Sequence, residues 1–240
     1  MQSTSKNKLI ALLLLSSTTA FGGDHYMSAT SNIGFKTDYL FRGISQTRRN
    51  PAVQGGFDFS TKSGYYIGTW ASNVDFGDTA NTEFDLYGGF TSTFSNDMSY
   101  DIGVLGYFYP GTSKELNYNT GEVYASLSKA MGQVSGTLSY NYSPDFYSTG
   151  PANYLHMSID APTGIHDLSM NAGLGYQTID DSVQYQTGDY MDYALGIAYA
   201  MKQLTIGLTY HNTHNCDLTN GTCDSQLVMS LSTSHIHTKI

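Results

Sequence analysis

Large apolar residues alternate with small or polar residues along most of this chain. In the segment YMDYALGIAYAM, the odd-numbered positions from 191 to 201 are large and apolar, whereas the even-numbered positions between them are small or acidic. Successive side chains of a β-strand point to opposite faces, so this period of two predicts strands with one apolar and one polar face. Twelve such strands are predicted, at residues 29–41, 51–61, 65–74, 82–93, 98–109, 121–130, 132–143, 153–160, 167–178, 189–200, 203–213 and 225–234.

The connections between these segments alternate between long and short. Every link from an odd-numbered to an even-numbered strand is long and polar, as in RGISQTRRN and PGTSKELNYNT, and every other link is short, as in TKSG, SND and MK. Outer-membrane barrels sort their loops in this way, with short periplasmic turns and longer extracellular loops. The pattern therefore predicts an all-β fold, a transmembrane antiparallel β-barrel of twelve strands, in which strand 12 pairs with strand 1.

The N-terminus and the composition agree with export to a membrane. Residues 1–22 combine Lys6 and Lys8 with a short apolar run and small residues, which is typical of a cleaved secretory signal peptide. The barrel domain is then predicted over 23–240. Cleavage would leave nine basic against 20 acidic residues, a net charge of −11. This charge argues against a nucleic-acid partner, whereas 20 Tyr, 11 Phe and 25 Gly favour strands and tight turns.

Alternation also predicts which side chains face lipid. Phe35, Tyr39 and Phe41 would face lipid, and the aromatic residues near strand ends would form interfacial girdles. In the first hairpin, a register in which paired residue numbers sum to about 94 would set Lys36 opposite Asp58. The residues predicted to line the lumen are Lys36, Asp38, Arg42, Asp58, Tyr66, Trp70, Glu83, Asp85 and Asp101.

Mixed charges across a narrow lumen have two interpretations. They form an ion-pair network that fills the interior, or they create a field that selects solutes. Twelve strands lie between the filled eight-stranded barrels and the open porins of 16 to 18 strands. The acidic excess, which includes Glu122, Asp160, Asp167 and Asp192, favours cations or polar neutral solutes. The leading hypothesis is passive diffusion of such solutes through an outer-membrane porin. The alternatives are a filled structural barrel that binds a partner through its external loops and a soluble periplasmic ligand-binding protein.

The remaining chemistry of the sequence is sparse. Cys216 and Cys223 predict a disulfide in an oxidising compartment, worth about 2–3 kcal/mol by loop closure. No Ser and His pair falls together on the outer surface, so no catalytic residue and no enzymatic activity are predicted. His235 and His237 share a face near the chain end but make a poor metal site, so neither a metal nor a cofactor is predicted. The expected partners are membrane lipid, the transported solute and the barrel assembly machinery; the sequence does not indicate an oligomeric state.

The segments TDYLFRGISQT, PAVQGGFDFS and SGYYIGTWASNVDF resemble the TorF-type porin family, first catalogued as an uncharacterised family of proteobacterial outer-membrane proteins. The resemblance implies an outer-membrane barrel that acts as a porin, and it brings no catalytic role. The chain departs from barrels generally at its end, HIHTKI, which lacks the common terminal aromatic residue. The residues that match the family pattern are Asp38, Tyr39, Phe41, Arg42, Gly43, Ser45, Gln54, Gly55, Gly56, Gly68, Trp70, Ala71 and Ser72.

Overall fold

A computed structural model describes residues 27–113, 115–180, 187–218 and 220–239. The predicted signal peptide lies outside these residues. No helix in the described ranges is long and apolar enough to cross a membrane. The strands are β1 (Met27–Lys36), β2 (Leu40–Phe41), β3 (Ile44–Ser45), β4 (Ala52–Thr61), β5 (Tyr65–Asn73), β6 (Thr82–Thr93), β7 (Met98–Phe108), β8 (Thr120–Met131), β9 (Val134–Ser143), β10 (Ala152–Pro162), β11 (Leu168–Ile179), β12 (Tyr190–Met201), β13 (Leu204–His214) and β14 (Gln226–Lys239).

Twelve of these strands close into a single antiparallel barrel. Consecutive strands from β4 to β14 pair with one another, β1 pairs with β4, and β14 pairs with β1 to complete the ring. The remaining two strands, β2 and β3, form a separate two-stranded hairpin. The predicted fold and strand number are confirmed. Closure pairs each of the twelve wall strands on both sides. An open sheet would instead leave the backbone N–H and C=O groups of its edge strands unpaired.

The barrel wall has an apolar outer face and a polar inner face. Large apolar side chains stand outward at alternate positions of every wall strand; Leu195 is 63% exposed and Val104 is 59% exposed. Inward positions carry serine, threonine, glycine, tyrosine and most of the charged residues of the strands. We call the two openings the long-loop end and the short-turn end, according to the connections found there.

The first strand is shorter than predicted. It ends at Lys36, and the chain then leaves the wall over residues 37–51, where β2 and β3 lie inside the barrel mouth. Tyr39 and Phe41 are only 4% and 9% exposed, so the prediction that they face lipid is wrong. Phe35, which belongs to β1, does lie outward, with 43% of its surface exposed.

The predicted register of the first hairpin is also wrong. In the β1–β4 pairing Met27 lies opposite Thr61 and Lys36 lies opposite Ala52. Asp58 therefore lies opposite Thr30, whose hydroxyl is 3.4 Å from a carboxylate oxygen of Asp58. The early end of β1 shifts the pairing, because the connection now spans residues 37–51 instead of a shorter loop.

Candidate functional site

We call residues 37–51 the plug segment, because they fold into the mouth at the long-loop end. Arg42 and Gly43 connect β2 to β3, and both have positive φ, 48° and 80°. Two residues of positive φ define a type I′ hairpin turn, which reverses the chain within two positions. A Cβ on Gly43 would lie 2.7 Å from the side chains of Asp192 on β12 and Thr213 on β13. Gly43 is therefore needed both for the turn and for the close approach of its tip to the wall.

Asp38 stabilises the plug segment from within. Its Oδ1 accepts hydrogen bonds from the hydroxyls of Ser45 and Thr47, each 2.7 Å long. The Thr47 hydroxyl oxygen in turn accepts a hydrogen bond from the backbone N–H of Tyr39. Asp38 is 3% exposed, and its Oδ2 is buried without a hydrogen-bond partner. That Asp38 also acts as a solute filter stays a prediction.

Arg42 crosses the mouth to the opposite wall. Its Nη2 donates to both carboxylate oxygens of Glu122 at 2.7 Å, and its Nη1 donates to Gln177 at 2.8 Å. The two charged side chains are 6% and 1% exposed. The guanidinium also lies 4.7 Å from the ring centre of Phe41 and 4.3 Å from that of Tyr154, within the range of cation–π attraction. These contacts link the tip of the plug segment to β8, β10 and β11.

Tyr39 connects the plug segment to the near wall. Its hydroxyl donates to Glu83 at 2.7 Å, and the hydroxyl of Tyr109 donates to the other oxygen of the same carboxylate at 2.7 Å. The ring of Tyr39 packs edge-on against Trp70 at 5.3 Å between centroids. Glu83 is 1% exposed, so its charge lies inside the mouth, held by two neutral donors.

The β13–β14 connection holds the plug segment from outside. A disulfide joins Cys216 to Cys223, as predicted. The carbonyl of Thr222 accepts a hydrogen bond from the backbone of Ser45 at 2.9 Å. The guanidinium of Arg49 donates to the carbonyl of Gly221 at 2.7 Å and pairs with Asp224 at 3.3 Å. Gly221 and Thr222 of the disulfide-closed loop, together with the adjoining Asp224, therefore contact the plug segment.

A second contact ties neighbouring long loops at the rim. The hydroxyl of Tyr118, between β7 and β8, donates to Asp78 at 2.6 Å, between β5 and β6. Partial burial and the Asp78 carboxylate raise the pKa of Tyr118 to about 12. Tyr118 also packs edge-on against Phe76, with 5.3 Å between the ring centroids, so a polar and an aromatic contact join these two loops.

Below the mouth, tyrosine side chains of the inner wall bind carboxylates and pack against glycines. Tyr87 donates to Asp58, Tyr66 donates to Asp101 at 2.6 Å, and the hydroxyls of Tyr66 and Tyr124 are hydrogen-bonded to each other. Each ring lies against a glycine of a neighbouring strand, where a Cβ would collide with it. These pairs are Tyr87 with Gly68, Tyr66 with Gly89, and Tyr124 with Gly103. The glycines therefore provide the space that these rings occupy beside the neighbouring strands.

The structure assigns positions to the other sequence-predicted residues. Lys36 is the last residue of β1, half-buried on the inner face opposite Ala52 and Ser230. Asp85 is inward and 5% exposed. Asp167, which the sequence assigned to the acidic interior, instead lies exposed in the β10–β11 turn, 3.2 Å from His166. Among the described residues, no group of three or more His, Cys, Asp or Glu side chains could hold a metal ion.

Sequence reasoning missed the partners that anchor the plug segment. The sequence pattern indicates Glu122 only as part of an acidic excess, and it does not single out Gln177 or Tyr109. All three lie on the inner face or at the rim near the long-loop end. Their common signal is weak: each is a polar or amphipathic residue at the end of a strand that precedes or follows a long loop. No local sequence pattern indicates that these residues bind Arg42 and Tyr39.

The comparisons with known proteins agree with this architecture. Residues 20–235 match the model of a family described as a bacterial protein of unknown function, Gcw_chp. The chain belongs to the Gcw_chp family. No curated protein matches the sequence.

Several solved structures share the fold at very low sequence identity. The KdgM porin in complex with disordered oligogalacturonate superposes with a TM-score of 0.57 at 10% identity, covering 88% of this chain and 99% of that one. The NanC porin gives 0.56 at 10% identity, with 88% and 100% covered. The COG4313 outer membrane channel from Pseudomonas putida F1 gives 0.58 at 8% identity, with 91% and 100% covered. At this identity the likeness concerns the fold.

Proposed function

We propose that this chain is a channel of the bacterial outer membrane that passes small polar solutes, with a preference for cations. The observation that carries the proposal is a closed twelve-stranded barrel whose outer face is apolar and whose inner face is polar and charged. A belt of large apolar side chains facing water would be unstable, whereas lipid solvates it. The resemblance to TorF-type porins and the fold shared with outer-membrane channels support the same function.

The sign of the interior charge supports the cation preference. Acidic side chains outnumber basic ones on the described inner surface, where the basic residues are Lys36 and Arg42. The acidic residues are Asp38, Asp58, Glu83, Asp85, Asp101, Glu122, Asp160 and Asp192. A narrow lumen with low-dielectric walls focuses such a field and attracts counter-ions. Lys36, Arg42, Tyr66 and Trp70 complete the proposed lining.

The plug segment would form the constriction of this channel. It narrows the long-loop end, where most buried residues of the protein lie. Its buried contacts also favour a second function, a filled barrel that binds a partner through its long loops. Heat-dependent gel mobility would identify a membrane barrel, and conductance would separate these two functions.

Single-channel recording in planar bilayers tests the proposal. Refolded wild-type protein should give cation-selective steps, with selectivity read from the reversal potential. Glu83→Gln should reduce that selectivity, because it removes a buried charge beside the plug segment. The matched control is Asp97→Asn, an exposed carboxylate in the β6–β7 turn, which should leave it unchanged. Correctly folded protein that carries no current would refute the channel function.

A further inference from the structure

Asp85 is an inner-wall carboxylate with a buried oxygen that has no hydrogen-bond partner in the described structure. It is 5% exposed, and its Oδ1 is buried without a hydrogen-bond partner. Glu83 lies two residues earlier on the same face of β6. Tyr107, opposite Asp85 on β7, donates to Glu122 at 3.3 Å, so a third carboxylate lies close by. A buried, unpartnered carboxylate is unfavourable unless it is protonated or a cation approaches it.

The neighbouring carboxylates accept hydrogen bonds mainly from tyrosine hydroxyls. Glu83 accepts from Tyr39 and Tyr109, Asp58 accepts from Tyr87, and Asp101 accepts from Tyr66. A phenol donates a hydrogen bond but brings no positive charge. Glu122, in contrast, is paired with Arg42. The negative charge on this wall is therefore held in place without being cancelled.

These carboxylates occur at successive levels along β6. Glu83, Asp85, Tyr87 and Gly89 are consecutive inward positions, which a strand separates by roughly 7 Å. Tyr87 binds Asp58, and the space beside Gly89 holds the hydroxyl of Tyr66, which binds Asp101. Four carboxylates are thus spaced from the long-loop end towards the short-turn end along one wall.

We propose that this wall is a path for cations and that Asp85 is its first binding station beneath the plug segment. This inference rests on the proposed channel function and specifies its route. The described residues offer no cage of three or more ligands, so the cation would keep part of its water shell and bind weakly. Conduction requires such binding, favourable enough for entry and weak enough for exit.

Terbium luminescence tests the station without any current. Trp70 is the only tryptophan of the chain and lies directly opposite Asp85 in the β5–β6 pairing. Light at wavelengths that tryptophan absorbs and tyrosine does not should therefore produce Tb³⁺ emission only from ions held near this position. The experiment titrates Tb³⁺ into the folded full chain in detergent, and Trp70→Phe checks the source of the emission.

Asp85→Asn should weaken Tb³⁺ binding by at least about fivefold, which is the effect of one unit charge at contact distance even in bulk water. Asp160→Asn is the matched control, because it removes the same charge from the inner face of β10 on another wall. Asp85→Glu keeps the charge and should retain emission if the station exists. Heat-dependent gel mobility confirms that each variant is folded.

The outcomes separate the station from the channel. Absence of emission in the wild type, or equal losses in Asp85→Asn and Asp160→Asn, would overturn the proposed path. Emission that depends on Asp85 in a protein that carries no current would support the station and refute the channel function. Current without Asp85-dependent emission would support the channel and refute the station.

Discussion

Replacing Glu122 by glutamine should release the tip of the plug segment from the far wall. Arg42 would keep the hydrogen bond to Gln177 but lose the charge of the carboxylate that it contacts through both oxygens at 2.7 Å. Arginine remains protonated in proteins, so its charge would stay in a site where the side chain is 6% exposed. Breaking a buried ion pair by removing one partner costs about 3–5 kcal/mol. The lower end of this range applies, because glutamine still offers an acceptor.

A loss of about 3 kcal/mol changes an equilibrium constant more than a hundredfold. If the inserted plug segment is in equilibrium with a displaced one, Glu122→Gln should convert rare openings into frequent ones. The assay is single-channel recording, with open probability and step size compared between wild type and variant. Urea unfolding of the same samples measures how much of this lost free energy lowers the stability of the whole barrel.

The plug segment supplies its own control. Arg48 and Asp75 form a pair at 3.9 Å in which the side chains are 52% and 46% exposed. Exposed pairs contribute at most about 1 kcal/mol, so Asp75→Asn should leave the open probability nearly unchanged. Equal behaviour of Glu122→Gln and wild type in both assays would refute the reasoning. A large loss of stability with unchanged current would show that the pair holds the wall together and does not control the plug segment.

Three further changes test other parts of the structure. Gly68→Ala should push the ring of Tyr87 off the wall into the lumen and reduce single-channel conductance; unchanged conductance would show that the ring can move elsewhere. Leu195→Arg, on the outer face near the middle of β12, should lower folding stability in bilayers by about 2–4 kcal/mol, whereas Asn171→Arg on the inner face should not. Cys216→Ser should remove about 2.5 kcal/mol of loop-closure stabilisation and increase current noise, because the loop contacts the plug segment; quiet current would show that this contact does not hold the plug segment.

Much of the wall could be predicted from sequence because two solvents act on it. Lipid outside and a polar lumen inside impose a period of two on every spanning strand, so the face of Phe35 or Leu195 follows from position alone. Loop lengths then give the direction of each strand. Cys216 and Cys223 are close in sequence, and their pairing needs no knowledge of the fold. These features are local, and a single sequence contains them.

The plug segment could not be recognised in the same way. Phe35, Tyr39 and Phe41 continue the alternation past the end of β1, and an aromatic ring buried in a barrel mouth has the same sequence signature as one in lipid. Two weak signals mark the change: Thr37 interrupts the apolar face, and the Arg42–Gly43 pair can form a tight turn. Arginine is an uncommon residue at such a turn, so the pattern favoured a continuing strand.

The inserted segment divides the predicted lumen lining into two groups with different roles. Arg42, Glu83 and Asp85 lie at or next to the plug segment, where most side chains are buried, whereas Tyr66 and Asp101 lie further towards the short turns, where inner residues are half-buried. Resistances in series add, so the narrowest section dominates the current through a channel. In the proposed channel, selection between solutes would therefore depend mainly on the contacts of the plug segment, and the lower carboxylates would hold cations that have already passed it. The net charge of the lumen lining predicts the sign of the ion selectivity. The position of each charged residue relative to residues 37–51 would determine how strongly it contributes to that selectivity.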